Sequence, residues 1–159
     1  MRVAIFDFDG TLYPQETYTL MMNYLKEHPV HSSKYKKFYK TLMKPYLAYK
    51  MNLYPEGKMK AKSMQIYLNA LKDLSQEELE AYFIEMSHGM SKDLNQTVVE
   101  RLKKHLIDGD HVLVVSGAFT PMLNEVTKEY AVHQVIGTEM PYSNGSLDTA
   151  NEIFHIQGI

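Results

Sequence analysis

The sequence predicts an α/β fold in which a long helical insertion follows the first strand of a parallel sheet. Two nearly continuous apolar runs, Arg2–Phe6 and His111–Val115, are typical of strands buried on both faces of such a sheet. A stretch of about ninety residues with helical periodicity separates the two runs, which predicts the insertion. The length of 159 residues suits one domain that carries a modest insertion.

The insertion contains four predicted helices. Ser75, with Glu78 three residues later, forms the pattern of a capping box at the start of the last helix. The expected spans are Thr17–Glu27, Ser33–Met51 with a break or kink at Pro45, Glu56–Lys72 and Ser75–Met86.

The rest of the chain alternates between helix and strand. A helix over 95–107 places four apolar side chains on one face and ends at Gly109, directly before the second strand. A further helix, Pro121–Tyr130, precedes a third strand, Val132–Gly137. The Asn-Gly pair within Tyr142–Leu147 predicts a hairpin turn.

Composition excludes several classes of protein. The chain has no cysteine, which rules out disulfide scaffolds, thiolate zinc sites and cysteine nucleophiles. The apolar run Val3–Phe8 is too short for a signal peptide or a membrane span. We therefore expect a cytoplasmic protein with no membrane partner.

Charge is divided unevenly along the insertion. Between Lys26 and Lys62 there are ten lysines and two acids, although the net charge of the chain is −2. Tyrosines interleave these lysines, so the segment could steer an anionic substrate or contact nucleic acid. A solvated helix face whose tyrosines pack the insertion is the favoured interpretation, and a nucleic-acid partner is not expected.

The residues with the clearest chemistry directly follow the first strand. Asp7 and Asp9 stand two positions apart, where a parallel sheet places its ligands. One carboxylate of such a pair can attack or bind a metal ion while the other handles a proton. Gly10 permits a tight turn, and Thr11 offers a hydroxyl and an amide to an anion.

The segment Ile5-Phe6-Asp7-Phe8-Asp9-Gly10-Thr11 resembles the first motif of the haloacid dehalogenase (HAD) superfamily, a hydrophobic strand followed by DxDGT. The strand that ends at Ser116-Gly117 is similar to its second motif. The resemblance implies a Rossmannoid core over 1–13 plus 95–159 and a helical C1 cap over 14–94. The arrangement is most similar to the phosphoserine phosphatase-like branch.

The resemblance also implies roles for these residues. Asp7 would be the nucleophile that forms an aspartyl-phosphate, and Asp9 the general acid and base. Mg²⁺ would be held by the Asp7 carboxylate and the Asp9 main-chain carbonyl. Ser116 and Gly117 would bind the phosphoryl oxygens, as would Thr11. The implied reaction is Mg²⁺-dependent hydrolysis of a small phosphomonoester.

The resemblance says less about the substrate than about the reaction. Glu16 stands where phosphoserine phosphatases carry a substrate-sensing glutamate, although an acid at a helix N-terminus is equally well explained by the helix dipole. Those enzymes also use a cap arginine, whereas Arg2 and Arg101 both lie outside the predicted cap. We therefore expect a small phosphorylated metabolite as substrate, without strict specificity for phosphoserine.

Two further HAD motifs, a lysine and an acidic pair, are not matched. The only lysine after Ser116 is Lys128, and the only acidic residues after Glu139 are Asp148 and Glu152. Their spacings do not fit the two motifs. We expect the chain to be a fragment of a longer product, truncated before these motifs, or to form a homodimer that covers the exposed edge of the first strand. A phosphotransferase and a non-catalytic phosphate- or nucleic-acid-binding module remain as alternatives.

Overall fold

The computed structural model describes residues 1–150. The last part of the predicted core, residues 151–159 with Glu152, lies outside the described residues. Short 3₁₀ turns occur at Ser32–Lys34, Met90–Asp93 and Lys128–Tyr130. The helices and strands in chain order are β1 (Val3–Asp7), α1 (Thr17–Glu27), α2 (Tyr35–Lys50), α3 (Glu56–Ala70), α4 (Gln76–Ser87), α5 (Gln96–Ile107), β2 (His111–Phe119), α6 (Thr120–Thr127), β3 (Gln134–Thr138), β4 (Tyr142–Ser143) and β5 (Ser146–Leu147).

The three longer strands form one parallel sheet in the order β1-β2-β3. Asp7 is the last residue of β1 and pairs with Val115 of β2. Val115 pairs in turn with Ile136 of β3. Helices α5 and α6 provide the crossovers between these strands and pack against the sheet. The α/β fold predicted from the sequence is therefore confirmed.

The expectation that β1 is buried on both faces is wrong for the described residues. Ala4 and Phe6 are buried, but Val3 and Ile5 on the opposite face are 53% and 56% exposed. Phe6 faces α5 and contacts His105 in an edge-to-face arrangement, with 5.8 Å between the two ring centroids. Within residues 1–150 β1 pairs only with β2, and the homodimer expected to cover its other edge stays a prediction.

Packing decides two features of the predicted elements. Helix α2 continues without a break through Pro45, where a break or a kink was predicted. Phe38 in this helix is buried against the Tyr67 ring of α3, at 5.4 Å between centroids, which offsets the one backbone hydrogen bond that proline removes. Strand β2 runs beyond Ser116 to Phe119, because Phe119 is buried against the Phe83 ring of α4, at 5.0 Å.

The insertion has its own core and is packed onto the sheet. The buried Tyr67 hydroxyl donates to the Met21 carbonyl oxygen at 2.8 Å, which leaves it to accept from the Tyr82 hydroxyl at 2.7 Å. These bonds join α1, α3 and α4. Helix α4 also packs against α6, and the Gln76 amide at its start donates to the Gly145 carbonyl at 2.8 Å. The helical insertion is therefore held against the core along α4.

Both predicted local motifs are present. The Ser75 hydroxyl accepts from the Glu78 amide at 3.1 Å, and the Glu78 carboxylate accepts from the Ser75 amide at 2.9 Å, which is the predicted capping box. Asn144 and Gly145 both have left-handed backbone angles, with φ of 52° and 77°. This pattern suits a two-residue hairpin turn between β4 and β5.

Gly137 in β3 provides a test of the packing between α6 and the sheet. A Cβ atom at this position would lie 2.8 Å from the Leu123 Cδ1 atom and 2.9 Å from the Ala118 carbonyl oxygen. We expect Gly137→Ala to lower the free energy of unfolding by about 1–3 kcal/mol, because the backbone oxygen cannot move aside easily. Urea unfolding followed by circular dichroism measures this change.

The matched control is Gly89→Ala. A Cβ atom there meets nothing within 4 Å, and the backbone φ of −71° accepts alanine. This variant is expected to unfold at the wild-type urea concentration or slightly above it. Equal stability of the two variants would contradict the packing described for Gly137.

Candidate active site

A cavity of about 660 Å³ lies between the carboxyl ends of β1 and β2 and the first three helices of the insertion. Helices α1, α2 and α3 supply the wall opposite the sheet. The structure brings five of the six predicted site residues together on the lining of this cavity: Asp7, Asp9, Glu16, Ser116 and Gly117.

Buried apolar side chains hold the loop that carries the two carboxylates. Phe8, Leu12 and Tyr13 are almost fully buried, and the rings of Phe8 and Tyr13 stack at 5.7 Å. The Phe8 carbonyl accepts from the Thr11 and Tyr13 amides, at 3.1 and 2.9 Å. Gly10 supplies the left-handed φ of 73° that this tight turn requires. The alternation of apolar and acidic residues therefore points the carboxylates away from the core.

Thr11 is the predicted site residue that does not line the cavity. It lies in a smaller groove beside β1, and its hydroxyl donates to Asp7 Oδ2 at 3.4 Å. Its amide donates to the Phe8 carbonyl and is not free for an anion in this conformation. Thr11 therefore contacts the site only through its hydrogen bond to the Asp7 carboxylate.

Asp9 accepts two hydrogen bonds from Thr17, the first residue of α1. The Thr17 amide lies 3.1 Å from Asp9 Oδ1, and the Thr17 hydroxyl donates to the same oxygen. The carboxylate therefore satisfies an N–H group at the start of α1 that has no partner within the helix. Sequence reasoning missed Thr17, although a hydroxyl residue at the first position of the predicted helix was a visible signal.

Burial raises the pKa of the Asp9 carboxyl above its usual range. The two bonds from Thr17 favour the charged form and oppose this shift, whereas the nearby Glu16 and Asp7 charges add to it. The balance favours the protonated form of Asp9 more than in an exposed aspartate. A carboxyl of this kind is suited to donating a proton.

Ser116 and Gly117 are fixed by neighbouring backbone and side-chain groups. The buried Ser116 hydroxyl accepts from the Ala118 amide at 3.0 Å, which leaves its own proton available to a ligand. The Gly117 carbonyl accepts from the Thr138 hydroxyl at 2.8 Å. This second bond ties the end of β2 to β3 where the regular pairing of these strands is interrupted.

Glu16 occupies the N-cap position of α1, but its side chain makes no capping hydrogen bond. It is exposed and lines the cavity next to Asp9. The carboxylate that accepts a hydrogen bond from the N-terminus of α1 is therefore that of Asp9 and not that of Glu16. Glu16 therefore presents a negative charge to the cavity.

The oxygen donors at this end of the cavity fit Mg²⁺. Asp7 and Asp9 supply hard oxygen ligands, and Mg²⁺ in proteins commonly uses one or two carboxylates together with water and substrate phosphate. Among residues 1–150 no group of three or more His, Cys, Asp and Glu side chains is arranged to hold a metal ion.

The parallel sheet, the helical insertion after β1 and the carboxylate pair that follows this strand are features of haloacid dehalogenase-like proteins. The family model for haloacid dehalogenase-like hydrolases matches residues 4–158, and the chain belongs to this family. This confirms the family that the two sequence motifs indicated. A search of curated protein sequences gave no match.

Solved structures with the same fold include three with high coverage of this chain. A Bordetella pertussis Tohama I protein of unknown function has a TM-score of 0.72 at 20% identity and covers 96% of this chain and 66% of its own. A phosphoserine phosphatase, as a phospho-aspartyl intermediate analogue, has a TM-score of 0.51 at 23% identity, with coverages of 93% and 61%. A phosphoserine phosphohydrolase-like protein from Francisella tularensis subsp. tularensis SCHU S4 has a TM-score of 0.58 at 19% identity, with coverages of 97% and 65%.

Because the sequence identities to these three proteins are low, the comparison with them shows a shared fold and no more. The chain spans less than two thirds of the length of each of these three proteins. In the part of the chain that the structure describes, no helix combines the length and the apolar character needed to cross a membrane.

The contact between Asp9 and Thr17 predicts a pKa change. In Thr17→Val the hydroxyl bond to Asp9 is lost, and this bond favours the ionised carboxylate. We therefore expect the Asp9 pKa to rise further in the variant than in the wild type. Carboxyl ¹³C NMR titration of the metal-free protein measures it, with Thr17→Ser as the control that keeps the hydroxyl. An unchanged or lower pKa in Thr17→Val would contradict the role assigned to this bond.

Proposed function

We propose that the chain is the catalytic part of a Mg²⁺-dependent phosphatase that hydrolyses a phosphomonoester through an aspartyl-phosphate. The observation that carries this proposal is the shared cavity of Asp7, Asp9 and Ser116. Two carboxyl groups, one of them with a pKa raised by burial, and a hydroxyl donor line one space there. Membership of the haloacid dehalogenase-like hydrolases supports the same reaction class.

The first step is attack of an Asp7 carboxylate oxygen on the phosphorus atom. As the new oxygen–phosphorus bond forms, the bond between phosphorus and the substrate alcohol oxygen breaks. Asp9 gives its proton to the departing oxygen, which leaves as a neutral alcohol. The raised pKa of Asp9 favours the protonated form that this step needs.

The second step returns the enzyme to its starting state. Asp9, now ionised, takes a proton from a water molecule as the water oxygen attacks the phosphorus of the aspartyl-phosphate. The bond to Asp7 breaks, inorganic phosphate leaves, and Asp9 is protonated again. The two bonds from Thr17 stabilise the ionised form of Asp9 between the two steps.

Charge must be neutralised for a dianionic phosphate to approach these acids. The Asp7 carboxylate and the Asp9 main-chain carbonyl would hold Mg²⁺, which would supply positive charge to offset the negative charges of the nucleophile and the phosphate. The Ser116 hydroxyl would donate to a phosphoryl oxygen, because its proton is not used within the protein by the bond to Ala118. Thr11 would hold the Asp7 carboxylate in position.

The test is phosphate release from p-nitrophenyl phosphate by this chain in Mg²⁺ and in excess EDTA. We expect Mg²⁺-dependent release by the wild type and a loss of at least about a thousandfold in Asp7→Asn, since an amide cannot serve as the nucleophile. Asp93→Asn is the matched control, because Asp93 is an exposed aspartate outside the cavity.

Two results would overturn the proposal. One is full activity in Asp7→Asn. The other is the absence of phosphate release from the folded wild-type chain, which would favour the alternative of a non-catalytic phosphate-binding module. Circular dichroism of each protein establishes that it is folded in the assay.

A further inference from the structure

We propose that the cavity selects phosphate esters whose alcohol part is bulky, apolar and uncharged. This inference rests on the proposed function, because it assigns the substrate class of the same cavity. The polar residues that face the reacting phosphate lie at the sheet end. The wall built by the insertion has a different chemistry, and that wall is what the alcohol part of a substrate would meet.

The wall of the insertion is formed mainly by methionine and tyrosine. These side chains come from three different helices, α1, α2 and α3. Methionine adapts its shape to apolar ligands, and tyrosine offers a large apolar ring. The residues of this surface, called the apolar wall below, are Met22, Tyr39, Met43, Tyr46, Met59 and Met64.

Part of the apolar wall is in contact with water when no ligand is bound. Tyr39 and Tyr46 are 42% and 37% exposed, although both line the cavity. Met22 and Met43 are half-buried. The other two methionines of the apolar wall, Met59 and Met64, are buried, so the surface in contact with water comes from the two tyrosines, Met22 and Met43. An apolar group in the cavity would remove this surface from water, which favours its binding.

The size of the cavity also favours a large group. A volume of about 660 Å³ is in the range of pockets that enclose drug-sized ligands. A phosphate group with a three-carbon alcohol would fill only a small part of this volume, so a larger apolar alcohol would gain more contact with the lining.

Charge in the cavity disfavours an acidic alcohol part such as that of phosphoserine. Among the described residues that line the cavity, Lys60 is the only cation, and it lies 3.6 Å from Glu56 in an exposed ion pair. Arg2 lies outside the cavity in an ion pair with Asp110. A substrate carboxylate would therefore meet Glu16 and Glu56 without an unpaired cation to bind it.

Binding of alkylphosphonates, which cannot be hydrolysed, tests the proposal independently of turnover. Ethylphosphonate and hexylphosphonate carry the same anionic group and differ by four methylenes. Each buried methylene favours binding about fourfold, so hexylphosphonate is expected to bind at least about tenfold more tightly. Isothermal titration calorimetry of the wild-type chain in Mg²⁺ measures both affinities, with O-phosphoserine as the polar comparison.

A matched pair of variants locates the effect. Tyr46→Ser removes an aromatic ring of the apolar wall, and we expect it to reduce the affinity ratio of hexylphosphonate to ethylphosphonate by at least about threefold. Leu47→Ser, at the next position of α2, removes a 55% exposed apolar side chain outside the cavity and is expected to keep the wild-type ratio.

Equal affinities for the two phosphonates, or tighter binding of O-phosphoserine than of hexylphosphonate, would overturn the proposed substrate class. Loss of the affinity ratio in Leu47→Ser but not in Tyr46→Ser would also overturn it. Failure of the phosphatase proposal looks different: the chain would then release no phosphate from p-nitrophenyl phosphate, while the alkylphosphonate series still reports the preference of the cavity.

Discussion

Burial of the loop after β1 is the constraint on which the rest of the site depends. Phe8, Leu12 and Tyr13 are buried at the point where the chain leaves the sheet for the insertion. Asp7 precedes Phe8 in the chain and Asp9 follows it. Because the apolar side chains point into the core, the two carboxylates point to the opposite side, into the cavity. The Asn95 amide donates to the Leu12 carbonyl at 2.9 Å, so the same loop also ties the exit of the insertion to its entry. A single packed turn thus positions both carboxylates and closes the base of the insertion.

The site is held from two sides. On the sheet side, Ser116 and Gly117 belong to β2, and hydrogen bonds to Ala118 and Thr138 fix their positions. On the insertion side, Thr17 fixes Asp9 through the first turn of α1. The Asp9 carboxylate therefore joins the core to the insertion, and a displacement of α1 would change the hydrogen bonds that favour the ionised form of Asp9. Contacts between α4 and α6 oppose such a displacement, because they hold the far side of the insertion to the core.

The sequence was most informative where local pattern decides the structure. The strands, the capping box at Ser75 and the hairpin at Asn144-Gly145 follow from short-range propensities, and the family followed from two motifs. Tertiary packing decided the features that local pattern left open or placed wrongly. Helix α2 passes through Pro45 because its buried face is covered by α3, and β2 extends past Ser116 because Phe119 is covered by α4. Thr17 was missed for the same reason, since its partner Asp9 is near it only after the loop has folded.

The residues of the proposed reaction and those of the proposed specificity line one cavity, and they differ in how far local sequence predicts them. The acids that would carry the reaction lie within one short turn, so a local motif identifies them. The apolar wall is assembled from α1, α2 and α3, whose contributing residues are up to 42 positions apart in the chain, from Met22 to Met64. In the sequence these methionines and tyrosines cannot be distinguished from core residues, because their spacing suits an ordinary amphipathic helix. Only the packing of the three helices shows that some of them line the cavity, and for this reason the proposed substrate class could not be predicted from any one helix.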